Sequence, residues 1–182
     1  MDPIRVISLI EVMRMGISNE RKIVIPEIIL ATSIRAGLEI HVACGVVTQE
    51  SSGGRNIWGH DRTAAGAPLP YVKGDPVTRR AYTEYKKLRG EDGRGPIGRQ
   101  GCGAWQLTWH SLQDAADVEG GCWEPWANSV IGTRTMVAHL RRKGENLRDA
   151  LSRYNTGDPG DSLYSRRVLP IVEEWRALLD RV

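Results

Sequence analysis

Three observations predict a mostly α-helical protein. Apolar residues recur at helical spacing through most of the chain, glycine and proline fall where helices can start and stop, and the few β-branched clusters, such as Ile23 to Ile25 and Gly45 to Thr48, are too short for alternating strands. With 182 residues, 41% hydrophobic and 26% charged, the chain can bury a sizeable core. We read 1–182 as one domain, with 1–24 as an N-terminal extension and 62–100 as a loop-rich insertion.

The elements run in order. Ile4 to Met15 is apolar but interrupted by Arg5, Glu11 and Arg14, and lacks the cleavage site of a signal peptide. Pro26 can open a helix and Gly37 can close it, with Ile28, Ile29 and Ala31 to Ile34 as the apolar face. A second helix, Leu38 to Glu50, comes directly after. From Ser51 to Pro76 glycine and proline punctuation predicts loop. Val77 to Leu88 regains helical spacing, and Gly90 to Gly103 breaks it again. Further helices are expected over Trp105 to Ala116, Val130 to Leu140, Leu147 to Tyr154 and Leu169 to Leu179.

Glu50 is the most informative residue. Counting back at helical spacing gives Val47, Cys44 or Ala43, and Ile40, so the carboxylate continues an apolar stripe. The small residues Ser51-Ser52-Gly53-Gly54 come at once after it. A carboxyl group delivered to the edge of a cleft in a partly desolvated place favours its neutral form, which a general acid requires. An ordinary solvated helix end is the alternative.

Other chemistries find less support. The histidines His41, His60, His110 and His139 have no short ligand spacing, so no metal or cofactor is expected. A thiol peptidase would need Cys102 paired with His110, but Cys102 sits between loop glycines. A net charge of +3 with interspersed acids argues against nucleic acid, and no apolar run approaches a membrane span. Three cysteines suit a reducing compartment, leaving a Cys102 to Cys122 bridge possible after release.

Four segments in order carry a resemblance: Gln49-Glu50-Ser51-Ser52-Gly53-Gly54, Gly103-Ala104-Trp105-Gln106-Leu107-Thr108, Arg153-Tyr154-Asn155-Thr156-Gly157, and Tyr164-Ser165-Arg166-Arg167-Val168-Leu169. Together they resemble the motifs of the soluble lytic transglycosylases and goose-type lysozymes, with Ala104-Trp105 in place of Leu-Met and Thr156 in place of Ala. The stretch Gly103 to Trp109, with Leu112 to Asp117 and Gly120 to Trp123 after it, is also similar to the lysozyme-like domain of endolysins from phages of actinobacteria.

The resemblance implies a lysozyme-like fold and cleavage of the β-1,4 bond between N-acetylmuramic acid and N-acetylglucosamine in peptidoglycan. Glu50 would be the catalytic acid, and Ser51, Trp105, Gln106, Tyr154 and Asn155 would bind substrate. The family's transglycosylases use one glutamate as acid and then base, giving 1,6-anhydro ends. Goose-type lysozymes carry aspartates near the position of Asp61 and where this chain has Thr108, so Asp61 is the candidate second acid of an inverting hydrolase, although an Asp in a Gly-rich loop also forms turns. The reading leans to the transglycosylase.

A neutral Gln106 amide can hydrogen-bond an acetamido sugar, or simply begin a helix, and Tyr154 can face the acid or the core. Of Trp58, Trp105, Trp109, Trp123 and Trp126, in a chain without Phe, one or two are expected against sugar rings. A non-catalytic glycan-binding or virion-associated module is the remaining alternative. The expected protein is a monomeric phage endolysin acting on glycan strands, held in the host cytoplasm before lysis.

Overall fold

A computed structural model describes residues 2–59 and 69–182, so Asp61 lies outside the described residues. Eight helices and no extended strand occur among them: α1 (Pro3–Met15), α2 (Pro26–Ala36), α3 (Ile40–Ser51), α4 (Arg79–Arg89), α5 (His110–Val118), α6 (Pro125–Leu140), α7 (Leu147–Thr156) and α8 (Leu163–Leu179). The class is all-α. Contacts divide the chain into two compact units, Met1–Gly54 with Gly132–Val182, and Arg55–Ile131. No described helix is long and apolar enough to cross a membrane.

The first unit is organised on α3 and α8. From α3, Val42, Ala43, Cys44, Val46 and Val47 are buried, and from α8 Val168, Ile171, Val172, Trp175 and Leu179. Gly45 is what lets the two helices meet, because a Cβ there would lie 2.3 Å from Val172 Cγ2 and 3.1 Å from Val172 Cα. The Trp175 indole N–H donates to Thr48 Oγ1 at 3.0 Å, so the one polar atom of that ring is satisfied as it buries. Around this pair lie α2, α7 and α1.

Local signals explain most helix ends. In α2, Pro26 opens the helix and Gly37, at φ 72°, closes it in the left-handed region. Asn146 and Asp149 form a reciprocal capping box at the start of α7. In α8, Ser162 accepts from the Ser165 N–H, so the helix begins six residues before the expected Leu169 and carries the exposed Pro170 within it.

Two further boundaries differ. Helix α6 starts at Pro125 rather than Val130, a proline in the first helical position where its missing N–H costs nothing. Helix α5 starts at His110, not Trp105, because Gln106 has φ 47° and Trp109 is extended, which breaks the run. The extension holds α1, capped by Asp2, which buries only Leu9 and Met13.

In the second unit, isolated bridges join Ile57 to Pro76 and Trp58 to Cys102. Trp58 is fully buried, stacked on Tyr71 at 3.7 Å and edge-on to Tyr85 at 5.2 Å. A polar network crosses this core. Buried Gln113 donates to the Gln100 and Leu107 carbonyls at 2.8 and 2.7 Å and accepts from the buried Arg89 guanidinium at 2.7 Å. Arg89 also pairs with Asp114 at 2.9 Å, so its charge is compensated where water is excluded.

Candidate active site

Glu50 occupies the last turn of α3 and is partly buried. The turn after it is shaped by the chain it meets. Ser52 ends the helix in the left-handed region at φ 52°, and Gly53 continues at φ 93° with its α-carbon face against Lys22. A Cβ on Gly53 would fall 1.8 Å from the Lys22 carbonyl oxygen, so only glycine fits. The Gly53 carbonyl then accepts from the Val24 N–H at 2.9 Å. Ser51 is buried; its hydroxyl donates to the Val47 carbonyl at 3.2 Å and accepts from the Gly54 N–H at 3.1 Å. The small residues thus turn the chain sharply and leave the carboxylate at the helix end.

Helices α7 and α8 bring two phenols to it. The Tyr164 hydroxyl donates to Glu50 Oε1 at 2.5 Å. The Tyr154 ring lies alongside Tyr164, with centroids 6.5 Å apart and planes 27° from parallel. Burial pushes both phenols well above their ordinary value, and the Glu50 charge pushes them further, with Tyr154 adding to the shift of Tyr164. Both rings therefore remain neutral at physiological pH. Asn155, next to Tyr154 at the end of α7, is exposed.

Gln106 and Trp105 belong to the second unit. The Gln106 side chain donates to the Ile57 and Gly103 carbonyls at 2.9 and 2.8 Å. Both amide protons are then used, and the oxygen is the atom left to accept from an N–H such as that of an acetamido group. Trp105 is fully buried and presents no face at the surface. Its backbone N–H donates to Asn128 Oδ1 at 2.9 Å, while Asn128 Nδ2 donates to the Cys102 carbonyl at 2.9 Å. The tryptophans with large exposed faces are Trp109 and Trp126, at 49% and 40%. Arg99 lies over the Trp109 ring at 4.2 Å.

Two residues of this arrangement have no role assigned from the sequence. Tyr164 stands inside the fourth segment of the resemblance, so a signal exists for it. Asn128, wholly buried in α6, has none, since nothing in the sequence says that it threads the Gly103 to Thr108 turn. Among the described residues no group of three or more His, Cys, Asp or Glu side chains could hold a metal ion. Comparison with protein-family models, with curated proteins and with solved structures gave no match.

Proposed function

We propose that this chain is a peptidoglycan-degrading glycosidase with a lysozyme-like fold, a lytic transglycosylase in which Glu50 cuts the bond between N-acetylmuramic acid and N-acetylglucosamine. The observation that carries the reading is the Glu50 carboxyl group held by the Tyr164 hydroxyl, with the Tyr154 ring beside it, three residues from three of the four family-like segments. A hydroxyl that stays neutral can steady the carboxyl group in either protonation state, donating to the anion and tolerating the acid.

In the proposed reaction the Glu50 proton passes to the glycosidic oxygen as the C1–O bond breaks. The muramic acid C6 hydroxyl then bonds to C1, and its proton returns to the Glu50 carboxylate. Glu50 ends as it began and no water is consumed. Asn155 is proposed to hold the sugar, and Ser51 to set the turn that aims Glu50. The biological setting we propose is host cell lysis by a monomeric phage endolysin stored in the host cytoplasm.

Digestion of purified peptidoglycan by the wild type and by Glu50→Gln tests the reading. Release of soluble muropeptides by the wild type, and its loss in a variant of unchanged circular dichroism and melting temperature, is the expected result. Turnover by the variant, or none by the wild type, would sink it.

A further inference from the structure

A cavity in the second unit, of about 610 Å³, contains none of the residues proposed for catalysis and is lined by Asn56, Thr78, Arg79, Gly120, Trp123 and Glu124 among others. Its volume falls within the range of small-molecule sites. Two opposite charges stand on its wall without pairing to each other, and Trp123 organises both. The Arg79 guanidinium lies over the Trp123 ring, 5.5 Å from its centroid. The indole N–H donates to Glu124 Oε1 at 3.1 Å.

Arg79 and Glu124 are both exposed, and neither has an ion pair with any described residue. An exposed ion pair contributes little, so nothing compels the two side chains to meet. Here each is held by the indole instead. Trp123 is itself fixed: its ring packs on Tyr82 at 5.5 Å, and its carbonyl accepts from Asn56 Nδ2 at 2.7 Å. The same Nδ2 donates to the Val77 carbonyl at 3.2 Å, tying the two walls together. Asn56 Oδ1 is buried with no hydrogen-bond partner.

We propose that this cavity binds a zwitterionic amino-acid head group, its carboxylate on Arg79 and its ammonium on Glu124. A planar guanidinium suits a carboxylate, and a carboxylate suits an ammonium, so a ligand carrying both charges satisfies the site where a neutral sugar would leave both unpaired. The choice of ligand rests on the proposed peptidoglycan substrate, whose stem peptides carry diamino acids with a free ammonium and carboxylate. The cavity would then read the peptide while Glu50 acts on the glycan.

The test is titration of the isotopically labelled chain with the tripeptide L-alanyl-γ-D-glutamyl-meso-diaminopimelate, following the Trp123 indole N–H by NMR. A saturable shift is expected, with affinity lowered at least about tenfold in Arg79→Gln and in Glu124→Gln, and unchanged in the exposed control Lys143→Gln. The tripeptide with its diaminopimelate amine acetylated and carboxyl amidated should not bind. No shift at Trp123, equal binding of the blocked tripeptide, or wild-type affinity in both charge variants would overturn the proposal. The outcome is separable from the glycosidase reading: binding without glycan cleavage defeats that reading and keeps this one, and cleavage without binding does the reverse.

Discussion

Replacing Gly45 by alanine sets two effects of known sign against each other. In the middle of α3 an alanine is favoured over glycine by about 1 kcal/mol of helix propensity. The structure opposes this. The new methyl carbon would lie 2.3 Å from Val172 Cγ2 and 3.1 and 3.2 Å from the Val172 Cα and N atoms. Carbon atoms pack at roughly 3.5 to 4.0 Å, so the helices must separate. Val172 cannot swing away, because it is fully buried and a β-branched side chain in a helix has one strongly preferred rotamer.

Overpacking of this kind costs about 1 to 3 kcal/mol, and the contact with backbone atoms puts it at the upper end. The net expectation is a loss of about 1 to 2 kcal/mol, lowering the melting temperature by roughly 2 to 8 °C. Because α3 carries Glu50 and α8 carries Tyr164, the same separation stretches the 2.5 Å bond between them. Peptidoglycan turnover should fall even at temperatures where the variant is fully folded. Combining Gly45→Ala with Val172→Ala removes the clashing methyl, so the pair should be non-additive by about 1 kcal/mol or more in chemical denaturation. A Gly45→Ala variant that melts higher than the wild type, and adds simply with Val172→Ala, would refute the packing argument.

Other consequences can be checked directly. Asn128→Ala takes the Asn128 acceptor from the buried Trp105 N–H and removes one of two bonds to the Cys102 carbonyl, which keeps the Leu107 N–H at 3.0 Å, so a loss of about 1 to 3 kcal/mol is expected in denaturant titration, with amide exchange at Trp105 accelerated. Burial lowers the pKa of His41 and of His139, the latter helped by Arg142 and Arg153. As pH falls through about 6.5 the unfolded chain takes up protons that these folded imidazoles refuse, so stability is full above that value and declines below it. The melting temperature should drop between about pH 7.5 and 5.5, and the drop should be shallower in His139→Gln. Cys102 and Cys122, both buried with sulfurs 3.5 Å apart, should form a bridge on prolonged exposure to oxidised glutathione, detected by peptide mapping, while Cys44 stays a thiol.

The helical class and most element positions could be read from the sequence because they depend on local signals. Pro26 and Gly37 bracket α2, and the apolar spacing of α3 ends at Glu50, both as expected. Boundaries failed where a single backbone angle or cap outweighed periodicity: Gln106 in the left-handed region delays α5, and Ser162 starts α8 early. The site was legible in part. Tyr154 lies within reach of the Glu50 charge, but the hydrogen bond to Glu50 is made by Tyr164, whose position depends on α8 packing across α3 through Gly45. Trp105 illustrates the opposite failure, since composition cannot tell a tryptophan that faces a sugar from one that fills a core.

The proposed double role of Glu50 as acid and then base is tested most directly by the chemical form of the product ends. Purified peptidoglycan digested by the wild-type chain should yield muropeptides ending in 1,6-anhydro-N-acetylmuramic acid, lighter by one water than the reducing form on mass spectrometry. Reducing ends throughout would show that water, not the C6 hydroxyl, attacks C1, and would contradict the proposed double role.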